Sequence, residues 1–127
     1  QSKEFEYSVT NGDIDIDTII GRRKRKRIVS VTGKKVERLL PFEGGRFREA
    51  DYQRVVMAAP SMNEPELWYF TYHSKKNGHT AVVFQPDNRV LSALYSGLQT
   101  TVRLETDRAL REKGITVEKN RSSHGIG

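Results

Sequence analysis

A single dipeptide, Asn11-Gly12, divides the segment FEYSVTNGDIDID at positions 5–17 into two halves of alternating polarity. Asn-Gly is the preferred pair for a two-residue β-hairpin loop, and such a loop fixes the register by pairing Thr10 with Asp13. Successive residues of a strand point to opposite faces of the sheet. In this register one face carries Phe5, Tyr7, Val9, Ile14 and Ile16, and the other carries Glu4, Glu6, Ser8, Asp15 and Asp17. The sequence therefore predicts an antiparallel hairpin with one apolar face and one acidic face.

A run of six cations, Arg22 to Arg27, follows this hairpin in the segment GRRKRKR at 21–27. The formal net charge is +6, and the run accounts for all of it, because removing six from the 22 Lys and Arg leaves 16 against 16 Asp and Glu. Like charges that face each other destabilise a strand pair, so the acidic face needs cations nearby. A third strand, KRIVSV at 26–31, would place some of them there. One interpretation of the run is thus a seam, meaning a solvated row of cations that lies beside the acidic face of the hairpin and neutralises it.

The same run resembles arginine-rich nucleic-acid-binding segments and nuclear localisation signals, a resemblance of composition over seven residues. The planar guanidinium of Arg holds phosphate through two hydrogen bonds and stacks on exposed bases. A strand with alternating faces cannot hide six consecutive cations, so at least half face solvent or a ligand. We therefore predict a nucleic-acid-binding surface. Its residues are Arg22, Arg23, Lys24, Arg25, Lys26 and Arg27, joined by Lys34, Lys35, Tyr69, His73, Lys75 and Lys76.

Two more hairpins are predicted downstream, one turning near Thr32-Gly33 and one with a two-residue loop at Asn77-Gly78. The second loop pairs Lys76 with His79, which sends His73 and His79 to opposite faces and argues against a shared metal ion. In this register Trp68, Phe70, Tyr72, Ala81 and Val83 form an apolar face, and Tyr69, Thr71, His73, Lys75, Thr80, Val82 and Phe84 form a mixed face. Tyr69 and Phe84 are the aromatic residues of the mixed face that we expect to contact a ligand.

Several segments have helical patterns. Residues 46–60 predict an amphipathic helix that ends near Pro60, with a strand over YQRVVM as the alternative. Residues 87–99 and 106–114 also predict helices, the second with Thr106 as N-cap and Gly114 just beyond its end. A short strand is expected at 115–118 and a disordered tail at 120–127. Together these elements predict a single α+β domain over residues 1–119, with about six largely antiparallel, hairpin-built strands and two or three helices.

Several kinds of chemistry are not expected from this sequence. The chain has no cysteine, which excludes disulfides, cysteine-ligated zinc, iron–sulfur clusters and thiol catalysis. The DIDID segment at 13–17 does not fit an EF-hand loop, because position six is Thr18 rather than Gly and position twelve is Lys24 rather than Glu. We expect no metal and no cofactor. His73 and His79 are the candidates for acid–base catalysis or metal binding. A ribonuclease would use His73, for which a polar strand residue is the favoured interpretation.

These patterns predict a non-catalytic nucleic-acid-binding protein, with RNA favoured over DNA. Three alternatives stay open: a virion or assembly protein that holds nucleic acid, a small ribonuclease-type enzyme or toxin that uses His73, and a module that binds an acidic protein partner. Homo-oligomerisation is a further option. No membrane partner is expected.

Localisation is predicted from apolar stretches. No segment approaches the ~18 apolar residues of a membrane span, and residues 1–17 lack the apolar core of a signal peptide. The first residue is Gln rather than Met, which is typical of a trimmed or processed chain. We expect an intracellular soluble protein, with nuclear localisation as an option for a eukaryotic or viral chain.

Overall fold

The computed structural model describes residues 2–118, which form seven strands and two α-helices arranged around two sheets. The strands are β1 (Lys3–Thr10), β2 (Asp13–Ile20), β3 (Lys24–Val31), β4 (Arg38–Pro41), β5 (Arg54–Ala58), β6 (Trp68–Ser74) and β7 (Gly78–Phe84), and the helices are α1 (Asn88–Ser96) and α2 (Thr100–Lys113). The predicted α+β class is confirmed. The tail expected at 120–127 lies outside the described residues.

The two sheets differ in their connections. The first sheet has the order β1-β2-β3 and is antiparallel throughout. The second has the order β4-β6-β7-β5, in which β5 runs parallel to β7 and the other pairs are antiparallel. Three strands in sequence thus make one sheet, and the remaining four make the other.

The first hairpin forms as predicted. Thr10 pairs with Asp13, and the ladder continues in step to Lys3 and Ile20. Asn11 and Gly12 both have positive φ, 53° and 83°, as a type I′ turn requires. The apolar face of the hairpin is buried, since Ile14 and Ile16 are fully inaccessible. The loop dipeptide and the alternation of side chains were sufficient to fix this register.

The main core lies between the two sheets and the helices. Ile14 and Ile16 of the first sheet pack with Phe70 and Phe84 of the second and with Leu94 of α1. Burying side chains of this size stabilises the fold by about 1.5–3 kcal/mol each before the entropy cost. The two sheets therefore cover each other's apolar faces.

Tyr7 connects the two sheets with hydrogen bonds as well as packing. Its ring meets that of Phe84 edge-on at 5.6 Å. Its hydroxyl donates to the carbonyl of Ala58 at 2.6 Å and accepts from the amide of Gln85 at 3.0 Å. Burial raises the pKa of Tyr7, so the hydroxyl keeps the proton that it donates.

The opposite face of the second sheet is buried as well. The segment between β4 and β5 folds over it. The centroid of the Phe47 ring lies 4.9 Å from that of Tyr69 and 5.4 Å from that of Tyr52. A second apolar cluster forms there around Leu67, Ala81 and Val83 with these aromatic rings. Because both faces of this sheet are covered, its strands do not show the simple alternation of a half-exposed strand.

Two of the elements predicted between residues 28 and 60 do not form. Residues 46–60 do not form the expected helix, and the alternative is correct in its place, since β5 pairs in parallel with β7 and sets Val56 beside Val82. The hairpin expected at Thr32-Gly33 is also wrong, because β4 pairs with β6 and lies in the other sheet. In both cases a partner distant in sequence outweighs the local pattern.

The helices correspond to the predicted segments but begin at different residues. Helix α1 starts after Asp87, whose carboxylate accepts from the amide of Val90 at 2.9 Å. Helix α2 starts at Thr100, so Thr106 lies inside the helix rather than at its N-cap. There its hydroxyl donates to the carbonyl of Leu39 at 2.8 Å, which joins α2 to β4. Gly114 ends α2 with φ of 68°, as predicted, and no strand forms at 115–118.

Three glycines mark a point where separate parts of the backbone touch. A Cβ added to Gly12 would lie 2.5 Å from the Cα of Gly97, at the end of α1, and a Cβ added to Gly33 would lie 2.4 Å from the carbonyl oxygen of Gly12. Asp13 adds a hydrogen bond here, because its carboxylate accepts from the amide of Gly33 at 3.0 Å. The β1–β2 turn, the chain after β3 and the end of α1 therefore meet without side chains between them.

We expect Gly12→Ala to lower the free energy of unfolding by about 2–4 kcal/mol, because it combines a positive φ with a backbone clash. Gly114→Ala shares the positive φ but meets nothing within 4 Å, and Gly44→Ala has neither problem. We expect losses of about 1 kcal/mol for Gly114→Ala and under about 0.5 kcal/mol for Gly44→Ala. Urea unfolding of the three variants measures these values. Equal losses for Gly12→Ala and Gly114→Ala would contradict the close contact with Gly97.

Candidate functional site

The six consecutive cations do not act as one group, because side chains alternate along β3. A register shift in the β2–β3 pairing, between Ile16 and Asp17, also places Arg25 and Arg27 on the face opposite to the buried Val29 and Val31. Arg25 and Arg27 lie on the acidic face, where both contact Asp17. The Nε of Arg27 lies 2.8 Å from Oδ1 of Asp17, and Nη1 of Arg25 lies 3.1 Å from Oδ2. Arg25 also pairs with Glu6. These two arginines form the seam that the acidic hairpin requires.

Asp17 is the centre of this seam. Its side chain is only 10% exposed, so its charge depends on the two guanidinium groups. The hydrogen bond from Arg27 lowers the pKa of Asp17 below its ordinary value, burial acts in the opposite direction, and Arg25 lowers it further. The neighbouring carboxylate of Asp15 lies 3.5 Å from Arg27 and accepts from the hydroxyl of Ser30 at 2.6 Å. Asp15 and Asp17 of β2 are thus paired with side chains of β3.

The other cations of the run face solvent. Lys24 and Lys26 lie on the opposite face of β3, and Arg22 and Arg23 lie in the β2–β3 turn, where Gly21 and Arg22 have positive φ. Lys3 belongs to the same group, because Lys3 and Lys24 both pair with Ile20 from the two sides of β2. We call this group the basic rim: Lys3, Arg22, Arg23, Lys24 and Lys26. Within residues 2–118 none of the five side chains makes an ion pair or donates a hydrogen bond.

The lysines expected to widen this surface lie elsewhere. Lys34 and Lys35 form the short turn that follows the far end of β3, about 23 Å along the strand from Lys24. Lys75 and Lys76 lie in the β6–β7 turn of the second sheet. All four are exposed, but the chain does not gather them with the basic rim. The predicted twelve-residue surface is therefore divided among three places.

The aromatic contacts expected on the second sheet are also unavailable. Tyr69 is 8% exposed and lies under Phe47, and Phe84 is fully buried in the main core. The segment between β4 and β5 covers the face on which we expected Tyr69 to stack with a ligand. His73 is the predicted residue of this sheet whose exposure fits the expectation.

The loop that joins β6 and β7 differs from the predicted one, and the difference moves the two histidines. Three residues separate Ser74 from its partner Gly78, whereas the prediction placed a two-residue loop at Asn77-Gly78. The hydroxyl of Ser74 accepts from the amides of Lys76 and Asn77 at 3.2 and 3.1 Å, which stabilises the longer turn. His73 now pairs directly with His79. The prediction that they point to opposite faces is wrong.

The histidines form a compact group with a glutamate that the sequence analysis did not identify. Their rings stack with centroids 4.8 Å apart and planes 8° apart. Glu37 lies beside both: its Oε2 is 2.9 Å from Nδ1 of His73, and its Oε1 is 3.5 Å from Nε2 of His79. Glu37 reaches this position because its amide donates to the carbonyl of Thr71 at 2.8 Å, at the start of the β4–β6 pairing. No local signal around Glu37 predicts this long-range contact.

Asp17→Asn should remove the seam's contribution to stability at neutral pH, with a loss that shrinks in acid. Because the pKa of Asp17 is lowered by folding, its contribution is present above the ordinary value of about 4 and disappears as the pH falls below it. Glu4→Gln is a matched control on the same face, since Glu4 has no ion pair within residues 2–118. Urea unfolding at a series of pH values measures both. An equal loss at neutral and acid pH would contradict the ionic seam.

Comparison with protein families changes the functional interpretation. A family model described as Bacterial PH-like domain (DUF6106) matches residues 1–104. No curated protein and no solved structure matches the chain. The family match overturns the predicted nucleic-acid-binding function, and the virion and ribonuclease alternatives receive no support from it. The family is bacterial, so nuclear localisation is also unsupported. None of the helices in the described part of the chain is long and apolar enough to cross a membrane.

The matched residues cover most of the architecture. They include all seven described strands, helix α1 and the first residues of α2. The basic rim and the histidine pair both lie within this span. The chain belongs to the family of bacterial PH-like domains.

Proposed function

We propose that this domain is a non-catalytic binding module that holds an acidic, extended segment of a partner protein against the basic rim and the outer edge of β3. The observation that carries the proposal is the basic rim itself, five exposed cations without an acidic partner in the described part of the chain. Cations left unpaired at one end of a sheet create a positive field that attracts and orients an acidic ligand.

The edge of β3 supports a peptide as the ligand. In residues 2–118 the first sheet ends at β3, and no other strand pairs with its outer side. An edge strand presents unpaired main-chain N–H and C=O groups, and an extended peptide satisfies them by adding as a further strand. A lipid headgroup carries negative charge but no such ladder of main-chain groups. The combination of charge and open edge therefore favours a protein segment.

The spacing of the rim fits the repeat of a strand. Lys24 and Lys26 lie on one face of β3, about 7 Å apart along the strand. Carboxylates at alternate positions of an added strand would share that face and the same spacing. Arg25 and Arg27 already pair with carboxylates of the first hairpin, so they contribute less to a new ligand. The proposed ligand is thus a strand with acidic residues at every second position.

The first test is fluorescence anisotropy with a labelled EVEVEVE peptide at low ionic strength. We expect the double variant Lys24→Glu/Lys26→Glu to weaken binding by about tenfold or more, because it reverses charge in the centre of the rim. The double variant Lys75→Glu/Lys76→Glu changes the net charge equally but lies in the second sheet, and should bind as the wild type does. Circular dichroism confirms that each variant is folded.

Two further probes separate the proposal from charge attraction alone. The same peptide with alternate amides N-methylated keeps its charge but cannot complete a strand ladder, so its binding should be much weaker. Equal binding of the methylated peptide would overturn the edge-strand mode. Vesicles that contain anionic lipid test the membrane as an alternative. Rim-dependent binding to vesicles without binding to the peptide would overturn the protein-ligand proposal.

A further inference from the structure

We propose that Glu37, His73 and His79 form a binding site for one divalent transition-metal ion, with Zn²⁺ as the best fit. One possible ligand atom from each of the three residues lies within 4.8 Å of the others. The inference is independent of the basic rim, because His73 and His79 lie on β6 and β7 of the second sheet and Glu37 directly precedes β4.

The chemistry of the three side chains suits zinc. Imidazole nitrogen and carboxylate oxygen bind Zn²⁺ at about 2.0–2.2 Å, and a set of two His and one Glu with a fourth open position is a known zinc arrangement. Imidazole ligands also bind copper and nickel, whereas calcium and magnesium prefer oxygen ligands alone. The single negative charge of Glu37 would partly neutralise the ion. The set therefore selects a transition metal over the hard cations.

The backbone already places the three side chains close enough to share an ion, and binding would require only the side chains to turn. The Glu37 oxygens already lie 2.9 and 3.5 Å from the nearest ring nitrogens of His73 and His79. Ligand atoms around a tetrahedral zinc ion are separated by about 3.3–3.5 Å, as follows from bond lengths near 2.1 Å. The two histidines occupy directly opposed positions of an antiparallel pair, which holds their rings close together. Because an imidazole binds a metal ion in the plane of its ring, the two parallel rings would have to tilt toward each other for both to reach one ion.

The positions of the ligands are supported by their neighbours. The side-chain oxygen of Gln53 accepts from the amide of His79 at 2.8 Å, and the amide of Gln53 donates to the carbonyl of His79 at 2.9 Å. The ring of Tyr52 packs on that of His79 with centroids 4.9 Å apart. Such contacts restrict ligand motion, which is how groups around a site raise metal affinity.

The site is open to solvent. The side chains of His73, His79 and Glu37 are 65%, 35% and 46% exposed. An ion can therefore enter without unfolding, and its fourth position would face outward. We expect micromolar rather than nanomolar affinity, because water competes with the three exposed side chains for the ion.

The test is isothermal titration of the full chain with ZnCl₂ after removal of metal by EDTA. We expect one equivalent to bind, and His73→Ala and His79→Ala each to weaken binding by roughly 10- to 100-fold or more, since even indirect supports of metal sites have effects of that size. His124→Ala is the matched control, because His124 is the remaining histidine of the chain. It should leave zinc binding unchanged. Glu37→Gln should weaken binding through loss of the negative charge.

A second readout keeps the result independent of heat signals. Co²⁺ bound in place of zinc gives visible absorption bands when two imidazoles and a carboxylate surround it at low coordination number, and His73→Ala should remove them. Zinc should also raise the melting temperature of the wild type but not of His73→Ala. Absence of binding to the wild type, or loss of binding in His124→Ala but not in His73→Ala, would overturn the proposal.

Discussion

The Asn11-Gly12 turn is the constraint on which the first sheet depends. Its two residues of positive φ form the whole loop between β1 and β2. The turn therefore decides which face of the sheet each side chain of the two strands occupies. Ile14 and Ile16 therefore enter the core, while Asp15 and Asp17 are left on the other face. The turn also packs directly on Gly97 and thereby positions the end of α1. Asn11 and Gly12 thus set the register of the hairpin, and Gly12 also allows the close contact with α1.

The acidic face that this turn creates determines the fate of the basic run. Asp17 is nearly buried and needs cations, which Arg25 and Arg27 supply from β3. Because side chains alternate along a strand, meeting that need with Arg25 and Arg27 places Lys24 and Lys26 on the other face. The exposed basic rim is thus a consequence of the seam. One run of like charge serves stability on one face of the sheet and remains available for a ligand on the other.

How far the sequence predicted the fold depended on where the decisive contacts lie. The first hairpin was predictable because its loop and alternation are local, and the seam followed from charge balance. The longer β6–β7 turn was missed, since the hydroxyl of Ser74 stabilises it in competition with the Asn77-Gly78 signal. Thr106 looked like an N-cap, but its hydroxyl bonds the carbonyl of Leu39 in a distant strand. Residues 46–60 have a helical pattern, but residues 54–58 form β5 instead because they pair with β7.

The histidine site illustrates why candidate sites are harder to predict than strands. Moving the β6–β7 pairing by an odd number of residues reverses which side chains share a face, so a small error in a turn separated His73 from His79 completely. Glu37 enters only through the pairing of β4 with β6, about 36 residues away in sequence. The three ligands come together only when the β4–β6 and β6–β7 registers are both correct. Neither register can be predicted from Glu37, His73 and His79 themselves. The basic rim lies closer to what the sequence predicted, because four of its five cations belong to the run at 22–27. Lys3 joins them only through the pairing of β1 with β2.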